Sequence, residues 1–145
     1  MRPVPSAGPK RAKAILLAVF WAFILFLNTF TQDLSDLLSL RAITFTWVSS
    51  PVFTDFFNFS DLTEIHPFFV IVKLGHYLGF ALMDYFLVRV FKKHHVALSL
   101  SFCLAVLTEV LQLYFARDGR MYDLVIDTLG IFSMYFLLKK RSRIL

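Results

Sequence analysis

Four long apolar runs, each bounded by charge, constrain this chain more than anything else in it. The first, Ala14 to Phe30, holds no ionisable side chain and follows a tail, 1–13, in which Arg2, Lys10, Arg11 and Lys13 stand among Pro, Gly and Ser. The others occupy 67–91, 96–116 and 121–138. One helical passage of hydrocarbon takes about 20 residues, so the expectation is an all-α integral membrane protein with four transmembrane helices. Composition agrees, because 58% hydrophobic and 17% aromatic residues in 145 carry more apolar surface than one small soluble core can hide. A single membrane domain uses the whole length.

Charge sets the expected orientation. Basic clusters mark the N-terminal tail, the connection at Lys92 and Lys93, and the C-terminal tail, 139–145, with Lys139, Lys140, Arg141 and Arg143. These three segments fall on one side of a four-pass bundle, and Asp33, Asp36, Asp55, Asp61, Glu64 and Asp118 fall on the other. The positive-inside rule then puts both termini in the cytoplasm and predicts a multi-pass membrane protein. The net charge of +5 flanks apolar segments instead of forming a soluble basic face, which argues against a nucleic-acid partner. No small-x-small cleavage site follows Leu27, where Asn28 to Gln32 stands, so the first run is expected to remain as an anchor. Cys103, the single cysteine, excludes a disulfide framework within the chain.

Between the first two runs, 31–66 mixes polar and aromatic residues and predicts an extracytoplasmic interfacial segment. Leu34, Leu37, Leu38 and Arg41 share helical spacing, and Trp47, Phe53, Phe56, Phe57 and Phe59 suit the headgroup zone. Ser60 or Asp61 is the expected cap of the next helix, with Glu64 as capping-box partner and Pro67 in the first turn.

Polar residues inside the runs carry the functional argument. Lys73, His76 and Asp84 lie on the second, Glu109 and Gln112 on the third, and Asp123 and Asp127 on the fourth. Ionisable groups at mid-membrane cost roughly 2.5–3.5 kcal/mol on insertion scales, so they face the bundle interior, pair, and mark function. Counting about 1.5 Å per residue from the helix ends predicts two layers in the outer half. His76, Glu109 and Asp127 form the deeper layer, and Lys73, Gln112 and Asp123 the shallower, with Arg117 and Arg120 at the mouth. Spacings of three and four put each set on one helix face. Asp123 and Asp127 repel unless a cation stands between them or one is protonated, with Lys73 and Arg117 the available cations. Gly130 allows close helix approach. Asp84 and Arg89 read as local interface charges, His66, His94 and His95 as solvated ends, and the first helix, without polar groups of this kind, as scaffold.

Three readings stay open. In the first, Lys73, His76, Glu109, Gln112, Arg117, Arg120, Asp123 and Asp127 line a crevice for a lipid, lipid-linked, glycan or peptide headgroup, with the loop around Trp47 as lid. In the second, His76 and Glu109 are an acid/base pair acting on an envelope lipid or precursor. In the third, the network only holds helices in register. His76, Glu109, Asp123 and Asp127 could instead bind a divalent ion, but they come from three helices without compact ligand spacing, so no metal or cofactor is expected. Membrane lipids are the expected partners, and a homo-oligomer is compatible with four helices that show no internal repeat.

Lys73-Leu-Gly-His76, then Glu109-Val-Leu-Gln112, then Arg117 followed by Asp123, Asp127 and Gly130, resemble the signature of the VanZ-like family over the second to fourth helices. Asp127 stands where that family usually has Asn, and Phe80 where Tyr is common. The resemblance implies a multi-pass protein of the bacterial cytoplasmic membrane and cell envelope, of a family associated with teicoplanin resistance, with a lipid-linked envelope precursor or a glycopeptide as partner; it names a family more than a reaction.

Overall fold

The computed structural model describes residues 8–63 and 66–142. Five α-helices occur among them, in the order α1 (Pro9–Phe30), α2 (Leu34–Leu38), α3 (Pro67–Phe91), α4 (His94–Tyr114) and α5 (Met121–Ser142), and there is no strand among the described residues. Four of these helices, all but α2, are long and apolar enough to cross a membrane.

Local chemistry sets the boundaries. Pro9 opens α1 in the first turn, where a missing N–H costs nothing, so the helix runs back through Lys10, Arg11 and Lys13, which the hydropathy assigned to the tail. It ends where Thr31 turns extended, its N–H still closing on the Leu27 carbonyl at 3.1 Å. The stripe through Leu34, Leu37, Leu38 and Arg41 yields little more than one turn. Asp33 caps it, accepting from the Ser35 and Asp36 amides at 2.8 and 3.0 Å, and Leu40 at φ 55° leaves the helical region before Arg41. Two 3-10 turns follow, at Phe53–Phe57 and Ser60–Thr63.

The cap of α3 is not Ser60 or Asp61. His66 takes that place, with Nδ1 accepting from the Phe69 amide at 3.2 Å, while Ser60–Thr63 closes a turn of its own. Glu64, the expected capping-box partner, lies outside the described residues. Lys92 ends α3 in the left-handed conformation, φ 58°, and α4 begins at His94, so this connection is a single tight turn.

Helix α3 is central, packing most extensively on α5 and also on α4 and α1, whereas α1 barely touches α4. Gly130 of α5 makes the α3–α5 contact possible, since a Cβ there would run into the Tyr77 carbonyl oxygen. On the other side of α3, Trp21 of α1 donates through Nε1 to the Gly79 carbonyl at 2.9 Å. Phe80, Ala105 and Ile131, one from each of α3, α4 and α5, form the buried core. Outside it, Leu16, Phe20, Phe136 and Leu137 are well over half exposed. Apolar side chains of that size on the outward faces of four long helices are at home in hydrocarbon, and the chain is a multi-pass membrane protein.

Aromatic contacts hold the long connection down. Trp47 stacks on Tyr114 with centroids 5.4 Å apart and meets Phe115 edge-on at 5.3 Å, while Phe45 lies against Phe26 and Phe115. The Val48 amide donates to the Tyr114 carbonyl at 2.7 Å, and the Gln32 amide to Thr44 at 2.9 Å.

Candidate ligand-binding site

The polar residues of α3, α4 and α5 meet in the bundle. Lys73 Nζ lies 2.8 Å from Asp123 Oδ2, joining α3 to α5. One turn deeper on α3, His76 Nδ1 lies 3.0 Å from Asp127 Oδ1 and 3.6 Å from Glu109 Oε1, joining all three helices. Glu109 and Asp127 are wholly buried, and Asp123 nearly so. The expected repulsion between Asp123 and Asp127 is met by separate partners, Lys73 for one and His76 for the other. Lys73 is committed further, since its ammonium lies over the Phe69 and Tyr122 rings at 4.8 and 4.7 Å.

Gln112 and Arg117 turn the other way. Gln112 Nε2 donates to the Thr29 carbonyl at 3.3 Å, and an Arg117 Nη1–H donates to the Gln32 carbonyl. The last turn of α1 and the residues just after it thus supply backbone acceptors to the site, a contribution of which the uncharged run Ala14 to Phe30 gives no sign. Arg117 forms no ion pair among the described residues, and its buried Nε has no hydrogen-bond partner. Burial also lowers its hold on its proton, with Asp118 and Asp33 opposing.

Arg120 is placed differently from the mouth position that the sequence predicts. Its guanidinium is buried and hydrogen-bonded through all three nitrogens: Nε donates to Asp61 at 3.0 Å, Nη1 to the Asp55 carbonyl at 2.7 Å, and Nη2 to Asp118 at 3.2 Å. Tyr122 adds a hydroxyl to the same Asp61 oxygen at 3.0 Å. Burial pushes the Asp61 carboxyl up, but the Tyr122 hydroxyl and the Arg120 charge and hydrogen bond more than offset it, leaving it below its ordinary value. Arg120 therefore clamps the Phe53–Thr63 segment onto the start of α5. Its amide also donates to Glu109 Oε2 at 3.0 Å.

Two cavities adjoin these residues. A polar one of about 300 Å³ is bounded along α3 by His66, Phe69, Val72, Lys73 and His76, and across from them by residues including Gln112, Arg117, Tyr122 and Asp123. The α3 positions recur every three or four residues and so form one face. An apolar cavity of about 380 Å³ opens between α1 and α3, with Ile24, Leu25, Ile71, Leu78 and Leu82 in its walls. Val72, His76 and Arg117 belong to both. Trp47, expected over the site as a lid, lines neither; Asp61 and His66 do border the polar cavity.

Asp84, read as an interface charge, is instead wholly buried, with Ser101 Oγ donating to it at 3.4 Å. Ser101, its partner on α4, gave no signal in an apolar run. Arg89 remains exposed, set against the Tyr85 ring.

The family model described as VanZ/LLP1 matches residues 14–143. The chain is also 32% identical over 133 residues to the uncharacterized membrane protein YwnJ of Bacillus subtilis (strain 168), a match covering 88% of this chain and 94% of that protein. No solved structure matches the chain. Hydropathy, bundle geometry and these two matches agree that the chain belongs to the VanZ-like family of membrane proteins.

Proposed function

We propose that the paired cavities hold an anionic amphiphile of the cell envelope, a phospholipid or lipid-linked precursor, with its headgroup at Arg117 and its chain between α1 and α3. The observation that carries this reading is Arg117 itself. It borders both cavities and, among the described residues, forms no ion pair and leaves a buried N–H without an acceptor. A buried donor without a partner is costly, and a phosphate or carboxylate oxygen meets that need together with the charge. The apolar space beside it favours a ligand with a hydrocarbon arm over a free anion.

The positive-inside rule orients the bundle with both basic tails in the cytoplasm, so in this reading the cavity faces the outer leaflet. Lipid-linked precursors displayed there are the occupants through which the chain would contribute to glycopeptide resistance. Native mass spectrometry of the protein in mild detergent tests the reading. An anionic lipid should accompany the wild type and be lost from Arg117→Ala, while protein free of such lipid, or equal occupancy in the variant, would overturn it.

A further inference from the structure

His76, Glu109 and Asp127, on three different helices, present ligand atoms that all lie within 4.8 Å of one another. We infer that these three side chains form a site for one divalent first-row transition ion behind the wall of the polar cavity, which His76 lines. The inference rests on their geometry and not on what fills the cavity.

The two edges from His76 suit ligands around a metal. Bonds of about 2.1 Å to imidazole nitrogen and carboxylate oxygen imply ligand–ligand edges of roughly 3.0 Å at a right angle and 3.4 Å at the tetrahedral angle. The edges from His76 Nδ1 are 3.0 Å to Asp127 Oδ1 and 3.6 Å to Glu109 Oε1.

Unmet acceptors point the same way. Glu109 Oε1 and Asp127 Oδ2 are buried without a hydrogen-bond donor, on residues with no exposed surface. Two carboxylates face a single imidazole here, because Lys73 is taken by Asp123. With His76 neutral, a divalent ion balances both charges, whereas a proton balances one.

The surroundings orient the ligands. The Arg120 amide, at the start of α5, holds Glu109 Oε2 at 3.0 Å and so fixes which oxygen faces His76; such outer contacts align metal ligands. His76 is 16% exposed and borders both cavities, which gives an ion a way in. An imidazole with two carboxylates suits zinc better than magnesium, which prefers oxygen alone and keeps its water.

Zinc is therefore the probe. Protein stripped with chelator, incubated with zinc and dialysed should retain about one zinc per chain by elemental analysis. Glu109→Gln and Asp127→Asn should each weaken binding at least ~10-fold, while replacing His94 and His95 together by Ala should leave it unchanged. X-ray absorption at the zinc edge of the wild type needs no variant, and should give one imidazole with oxygen ligands and no sulfur. No retained zinc, full retention in both carboxylate variants, or a shell with sulfur or several imidazoles would each overturn the site.

Discussion

Replacing Gly130 by Ala should disturb the site without touching any of its charged groups. The added Cβ would meet the Tyr77 carbonyl of α3, with Tyr77 Cα only 3.2 Å away, and helix backbone cannot swing aside as a side chain can. Restoring van der Waals separation, about 3.5 Å or more, moves the α3 and α5 axes apart by roughly 1 Å. The same two helices are bridged by Lys73–Asp123 at 2.8 Å and His76–Asp127 at 3.0 Å. Stretching either by that amount takes it beyond hydrogen-bond range. Overpacking costs typically 1–3 kcal/mol, and here the buried pairs lengthen as well, so a loss toward the upper end of that range is expected. Unfolding by SDS titration in mixed micelles, followed by tryptophan fluorescence, measures it. Gly75→Ala is the control, since a Cβ there meets open space and should leave stability unchanged or slightly raised. A Gly130→Ala protein within about 0.5 kcal/mol of wild type would refute the close-approach argument.

Lys73→Met should destabilise by about 3–5 kcal/mol, the usual result of stranding one charge of a buried pair, and Lys73→Met with Asp123→Leu should recover most of it in the same titration. Arg120→Lys, which cannot make the forked contacts to Asp61, Asp118 and the Asp55 carbonyl, should speed hydrogen exchange in Phe53–Thr63 by about tenfold or more, given that bonds to charged groups are worth about 1.5–3 kcal/mol each. Because the folded-state affinity of Asp61 for protons is lowered, its contribution is present above the ordinary aspartate range near pH 4 and is lost as pH falls through the lower folded value. Docking of Phe53–Thr63, read by exchange with rates corrected for pH, should therefore be constant from pH 8 to 5 and weaken only on strong acidification; loss already at pH 6 would contradict the Asp61–Arg120 clamp.

The four long helices were readable because lipid imposes one requirement on every passage, a long apolar run with its backbone bonded internally. Helix faces were readable for a related reason: spacing along α3, α4 and α5 placed Lys73, His76, Glu109, Asp123 and Asp127 inward, and they meet there. Pairing is harder to read, since hydropathy ranks depth and not partners: Gln112 falls in one layer with Lys73 and Asp123, and Arg117 at the mouth, although both turn to the carbonyls of Thr29 and Gln32. Backbone acceptors leave no mark on residue type. Arg120 was misplaced because its partners lie up to 65 residues away in the long connection, and no local pattern joins them. The short α2 reflects the backbone at Leu40, which a hydrophobic stripe does not report.

The most direct test is a binding titration in detergent with a short-chain anionic phospholipid, its zwitterionic counterpart and inorganic phosphate, on wild type, Arg117→Lys and Arg117→Ala. Wild type should bind the anionic lipid at least about tenfold more tightly than either comparison ligand, about 1.4 kcal/mol. Arg117→Lys should keep part of that preference and Arg117→Ala none. Equal affinity for all three ligands, or a preference unchanged in Arg117→Ala, would contradict the assignment of the cavity to an anionic amphiphile.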